Sequence, residues 1–245
     1  MVSAKDSLNL MASALKTRQS LSPLPYNQPE ALKIQQETGG QVLLGEAATE
    51  SAFKQKANQY GILHFATHAR VGDEHPNYSH LVFAKGKDTL EDRYLHAYEL
   101  YNMRLHVDLA VLSACETGIG KVQRGEGIMS LSRAFKYAGC PNIVTSLWKA
   151  EDQSTQEIMV DFYKKLKEGK GKAEALRQAK LDYLARADQS RTHPFFWGAF
   201  ILIGDDAPVK FSNTQWMWWI GAVVVILIVG VIIQRVRRNN DTMCR

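Results

Sequence analysis

Val107-Asp108-Leu109-Ala110-Val111-Leu112-Ser113-Ala114-Cys115 is a short apolar run that ends on a thiol. Tyr60-Gly61-Ile62-Leu63-His64-Phe65-Ala66-Thr67-His68 is a second such run, and it ends on an imidazole. Runs of this length, rich in leucine and β-branched residues and alternating with amphipathic segments, predict strands of a parallel sheet buried on both faces. Sheets of this kind build their sites beyond the carboxyl ends of their strands. His68 and Cys115 are therefore expected to meet at one rim of an α/β domain.

Working outward, the pattern predicts a helix over residues 30–37, a strand over 41–44, a helix near 49–58 and the strand ending at His68. Residues 79–84 read as a further strand or hairpin arm. After the strand 107–114 come a glycine-bearing loop, a helix at 128–138 and a strand at 142–147. Ile158, Met159, Phe162, Tyr163 and Leu166 share one helical face, and Leu176, Ala179, Tyr183 and Leu184 another, with Gly169 and Gly171 as breakers between them. A last strand is expected at 198–203. Upstream, Leu8, Met11 and Leu15 recur at helical spacing, and Pro23 and Pro25 make residues 20–26 an extended linker.

The net charge of +5 suggests a nucleic-acid partner only until it is divided. Arg235, Arg237, Arg238 and Arg245 against Asp241 place +3 of it beyond residue 214, leaving +2 spread over the rest. No phosphate-binding face follows, and no nucleic-acid partner is expected. Three cysteines in 245 residues give no disulfide framework, and Cys140, between Gly139 and Pro141, reads as a core residue. Residues 216–233 carry no charge and would span about 27 Å as a helix, enough to cross a bilayer. Trp216, Trp218 and Trp219 would form an interfacial belt and the arginines a positive stop, which predicts a single-pass membrane protein. The arginine-rich tail should stay cytoplasmic, yet residues 1–20 show no signal peptide, so the side on which the main domain lies stays open.

A thiol attacks a carbonyl only as its thiolate. A histidine in hydrogen-bond reach, taking the proton and later returning it to the leaving amine, would make Cys115 a nucleophile. His68 is the residue expected to do this. The developing oxyanion needs backbone N–H groups, for which Ala69 and Cys115 are the candidates. His68 stands 47 residues before Cys115, close to the roughly 50 that separate histidine and nucleophile in caspases.

Ala66-Thr67-His68-Ala69, Val111-Leu112-Ser113-Ala114-Cys115-Glu116-Thr117-Gly118, Gly125-Glu126-Gly127, Ser132-Arg133-Ala134-Phe135, Ala138-Gly139 and Ser146-Leu147-Trp148 together closely resemble the CHAT domain. The resemblance continues through Asp152, Phe162-Tyr163, Ala175-Leu176 and His193-Pro194-Phe195-Phe196-Trp197, spanning roughly residues 20–206. CHAT domains belong with the caspase, separase and gingipain peptidases. The resemblance implies a caspase-like three-layer α/β sandwich with a mostly parallel central sheet, His68 as general base and acid, Cys115 as nucleophile, and no cofactor. Where the pattern usually carries glycine after the histidine, this chain has Ala69, so a backbone conformation reserved for glycine would compromise the oxyanion site. In relatives the domain often follows tetratricopeptide repeat helices that receive a regulating partner. This chain has no room for them, and at least one more upstream strand is expected, with residues 6–18 resembling its remnant.

The organisation expected is an amino-terminal helix and linker (1–27), a CHAT peptidase domain (28–207), a tether (208–215), a transmembrane helix (216–234) and a basic tail (235–245). The function expected is a membrane-anchored cysteine endopeptidase acting on protein substrates. Its alternative is an inactive CHAT scaffold that binds a protein partner at the membrane. Glu116 and Asp152 lie near the expected substrate face and would favour a basic side chain before the scissile bond. His64 and His68 stand four apart, but Phe65 replaces the glutamate that H-E-x-x-H needs, so no metal is expected and His64 reads as a satisfied histidine behind the site. Gly118-Ile119-Gly120-Lys121-Val122 lacks both the leading glycine and the hydroxyl of a phosphate loop. Trp148 and Trp197 read as core or rim packing.

Overall fold

In the computed structural model the residues described are 24–70, 75–86, 91–113 and 126–211, with 126–129 in backbone only. The chain divides into two compact units, Met1–Val209 and Lys210–Arg245, and every element below belongs to the first. The central sheet has the order β1-β5-β6-β7, made of β1 (Ile62–Phe65), β5 (Leu109–Leu112), β6 (Asn142–Ser146) and β7 (Phe200–Ile203). β1, β5 and β6 run parallel, and β7 closes one edge antiparallel to β6. The two middle strands are buried at every position, β5 as an unbroken apolar run and β6 with Asn142, Thr145 and Ser146 buried beside Ile143 and Val144.

Helices cover both faces. On one face Leu63 and Phe65 of β1, Ala110 and Leu112 of β5 and Ile143 of β6 form a core with Phe53 of α2 (Glu50–Lys56), Leu100 of α3 (Ala97–Leu100) and Leu131, Ala134 and Phe135 of α4 (Glu126–Ala138). On the other lie α1 (Asn27–Thr38), α5 (Asp152–Lys167) and α6 (Lys172–Arg186), packed on one another. The stripe Ile158, Met159, Phe162, Tyr163 and Leu166 of α5 is fully buried, as its helical spacing predicts. The layers are therefore helix, sheet, helix, a mixed α/β arrangement with a mostly parallel sheet that fits a caspase-like fold.

Three expectations are corrected. The run ending at His68 is not one strand, because it leaves the central sheet after Phe65. The Thr67 hydroxyl donates to the Val82 carbonyl, and the His68 carbonyl accepts from Val82 N–H at 2.8 Å. These bonds draw the chain into a second, antiparallel sheet of β2 (Ala69–Arg70), β3 (His80–Val82) and β4 (Tyr94–His96). Residues 41–44 form no strand. Gln41 is instead held from the side, its Oε1 accepting from Tyr60 Oη at 2.8 Å and Lys56 Nζ at 3.2 Å. The last strand starts at Phe200 rather than at 198, since Pro194–Trp197 winds into a short helix, α7, closed by Gly198 N–H on the Pro194 carbonyl at 2.7 Å.

Residues 1–23, including the predicted amino-terminal helix, lie outside the described residues, as does the apolar run 216–233. Among the described residues no helix is long and apolar enough to cross a membrane.

Candidate active site

The parallel register of β1 and β5 sets Phe65 opposite Leu112, and Ser113 N–H continues the pairing onto the Phe65 carbonyl at 3.1 Å. His68 stands three residues past Phe65, and Cys115 three past Leu112. Adjacent strands lie ≈ 4.8 Å apart, so the chain segments that lead to these residues leave neighbouring positions at the same rim. Cys115 itself, and Glu116 after it, lie outside the described residues.

His68 is fixed through its backbone, between the end of the central sheet and the start of the small one. Its carbonyl is tied to Val82, while Ala69 pairs with Leu81. Because residues 68 and 82 exchange the ladder bond, antiparallel alternation turns the Ala69 amide away from β3. Ala69 does not need a glycine conformation either: among the described residues Arg93 is the non-glycine with positive φ. Its methyl is 1% exposed and packs in the core, so alanine here fills space and adds no strain.

Asp152 opens α5, where the Glu151 carboxylate accepts from the Gln153 and Ser154 amides at 3.1 and 2.8 Å. The Asp152 carboxyl is pushed above the usual carboxylate range, first by burial and then by the negative charges of Glu151 and Glu30. Lys149 and His68 pull it back down, so His68 and Asp152 feel one another's charge. Asp152 is thus within electrostatic range of His68.

Behind it lies a buried network that pattern reading did not assemble. His64, on β1, is hydrogen-bonded through Nε2 to Glu30 Oε1 of α1 at 2.9 Å and through Nδ1 to the Tyr163 hydroxyl of α5 at 3.2 Å. Glu30 is 3% exposed and Tyr163 1%, and burial together with Glu30 holds the phenol well above its ordinary range. A glutamate on an otherwise polar helix carries no sequence signal for this role. Nor do the hydroxyls of Ser113, Thr145 and Ser146, at the carboxyl ends of β5 and β6, and of Thr155 in the first turn of α5, which are buried with no hydrogen-bond partner among the described residues.

The remaining candidates have structural roles. Cys140 is fully buried, and burial pushes its thiol up to about 11. Trp148 Nε1 donates to the Phe195 carbonyl and Trp197 Nε1 to the Thr192 carbonyl, both at 3.0 Å, which makes them packing residues of the α7 corner. Glu50, Glu91 and Glu99 bring carboxylate oxygens within 4.8 Å of one another. Lys54 Nζ sits among them at 2.8, 2.7 and 2.9 Å, so the cation these carboxylates hold is an ammonium.

The comparisons with known proteins agree with this architecture. A family model of the CHAT domain matches residues 2–205. Tetratricopeptide repeat protein 28 of Mus musculus is 26% identical over 231 residues, an alignment covering 82% of this chain and 9% of the relative. The protein of the same name from Homo sapiens matches with the same identity and coverage. The chain thus spans about a tenth of the length of these curated relatives.

Proposed function

The chain belongs to the CHAT domain family, and from that premise we propose that it is a cysteine endopeptidase working through His68 and Cys115. The observation that carries the reading is the parallel pairing of β1 with β5, Phe65 against Leu112, which sends both chain segments out of the sheet at one rim. In the proposed reaction the Cys115 thiol gives its proton to His68, and the sulfur bonds to the substrate carbonyl carbon. The oxyanion is met by the amides of Ala69 and Cys115. Collapse breaks the C–N bond as His68 protonates the departing amine. Water, deprotonated by His68, then hydrolyses the thioester and frees the thiol.

Substrate preference is proposed to favour a basic side chain before the scissile bond, drawn by Asp152, with Glu116 as a second acidic candidate. Membrane attachment through residues 216–234 is proposed from the sequence pattern alone. Regulation by a tetratricopeptide repeat partner or upstream segment is proposed because the matched relatives bear that name and extend far beyond the matched region.

Iodoacetamide labelling near neutral pH tests the dyad. Cys115 should react well ahead of Cys244, with Cys140 silent, and His68→Ala should abolish that lead. Hydrolysis of a protein substrate library should be lost in Cys115→Ala. Equal turnover by both forms, or labelling of Cys115 no faster than of Cys244, removes the peptidase reading and leaves the partner-binding scaffold. For specificity, Arg and Lys peptide reporters should be cut in preference to Asp, with the preference lost in Asp152→Asn.

A further inference from the structure

β7 is an edge strand. Among the described residues nothing pairs with its outer side, and a groove of about 490 Å³ runs between it and α6. The direction of its backbone groups follows from two hydrogen bonds. The Ala199 carbonyl accepts from Leu147 N–H at 2.9 Å and so points toward β6, while the Phe200 carbonyl accepts from Lys180 Nζ of α6 at 2.6 Å and so points away. By alternation the amide of Phe200 and both backbone groups of Leu202 face outward, along the groove. An edge of this kind is a template for a further strand.

The groove wall is apolar, with Leu176, Leu181 and Leu184 from α6 and Trp197 from α7. Leu181 is 42% exposed. Among the described residues the charged groups in the lining are Arg177 and Lys180, both cations, with no carboxylate beside them. Glu174, one turn away, approaches Arg177 at 3.6 Å, but that pair is largely solvent-exposed and screened. The charge also selects the occupant. Two copies of this chain joined edge to edge would set Arg177 and Lys180 of one against those of the other, and like charges across a strand pair repel.

We propose that the outer edge of β7 and the adjoining α6 groove bind an extended segment of a partner protein by strand addition, the segment carrying both apolar residues and carboxylates on the side that faces α6. Backbone bonds to Phe200 and Leu202 would hold its register, and at every second position, on the face toward α6, apolar side chains would fill the groove while carboxylates between them meet Arg177 and Lys180. The surface is independent of His68 and Cys115 and stands whether or not the chain is a peptidase.

The test uses the full chain and a fluorescein-labelled acetyl-(Val-Thr-Glu-Thr)2 peptide, whose Val and Glu share one face as a strand, read by fluorescence anisotropy. Saturable binding is expected, weakened at least tenfold by Arg177→Glu, by N-methylation of alternate peptide amides and by replacing glutamate with lysine in the peptide. Absence of saturable binding overturns the proposal. Unchanged binding of the N-methylated peptide also overturns it, since strand addition would then play no part. Sedimentation supplies a further check: a dimer that Leu181→Asp dissociates would assign the edge to a second copy and sink the acidic-partner reading.

Discussion

His64 shows how a single side chain can tie three elements together. It lies on β1, and its ring nitrogens are engaged by Glu30 of α1 and Tyr163 of α5, so one imidazole joins the sheet to the two helices covering that face. Tyr163→Phe keeps the ring and its packing against Phe162, where the centroids are 5.6 Å apart, but removes the hydroxyl that bonds Nδ1. A buried polar atom left without its partner costs about 1–2 kcal/mol, and urea unfolding should show a loss of that size with an unchanged m-value. The expectation that His64 is a satisfied histidine could be drawn from its place on an apolar strand. Its partners could not: Glu30 is 34 residues away in sequence on a helix whose composition reads as solvated, and only the fold brings the two together.

Among the elements, the junction of α4 with β6 is set by one glycine. Gly139 has φ +111°, and a Cβ built there would lie 2.4 Å from the Leu105 carbonyl oxygen. That carbonyl belongs to the residue whose amide bonds the last carbonyl of α4, Leu105 N–H to Ala138 at 2.6 Å, so the backbone has no freedom to retreat. Gly139→Ala therefore combines an unfavourable dihedral with a backbone clash, and a loss of about 2 kcal/mol or more is expected in thermal or urea unfolding. A loss below 1 kcal/mol would show that the junction relaxes. Helices α4, α5 and α6 and strands β5 and β6 were legible in the sequence because burial of a continuous stripe or run leaves a periodic trace. β4 left none: Tyr94-Leu95-His96 is three residues long, alternates weakly, and exists because β3 offers it a partner. The break of the first run at Phe65 was hidden for the same reason. It depends on Val82, a residue far outside the run.

At the scale of the whole molecule, two buried titrating groups give stability opposite dependences on pH. His80 is lowered from 6.5 to about 4, first by burial and then by the positive fields of His96 and Arg70, against its Nδ1 bond to the Tyr78 carbonyl. The unfolded chain takes up this proton below about 6.5 and the folded chain does not until about 4, so the contribution is full above 6.5 and falls away with acid. It has an upper bound of about 3 kcal/mol. Glu50 is raised from 4.5 to about 7 by burial and by Glu91 and Glu99, against the pull of Lys54. Here the folded chain holds the proton longer, so the contribution is full below 4.5 and is lost as pH rises through 7. Between 4.5 and 6.5 the two slopes oppose each other, and from these groups the stability should be nearly level. Each variant should uncover the other group. His80→Phe should leave a protein whose stability falls steadily from pH 4.5 to 7, the Tyr78 carbonyl keeping its contact with His96 Nδ1 at 3.3 Å. Glu50→Gln should leave one whose stability rises over the same range, with Lys54 still held by Glu91 and Glu99. Urea unfolding at pH 4.5, 5.5, 6.5 and 7.5 measures both slopes. Variants that keep the level wild-type profile would show that neither group titrates differently in the folded and unfolded chains.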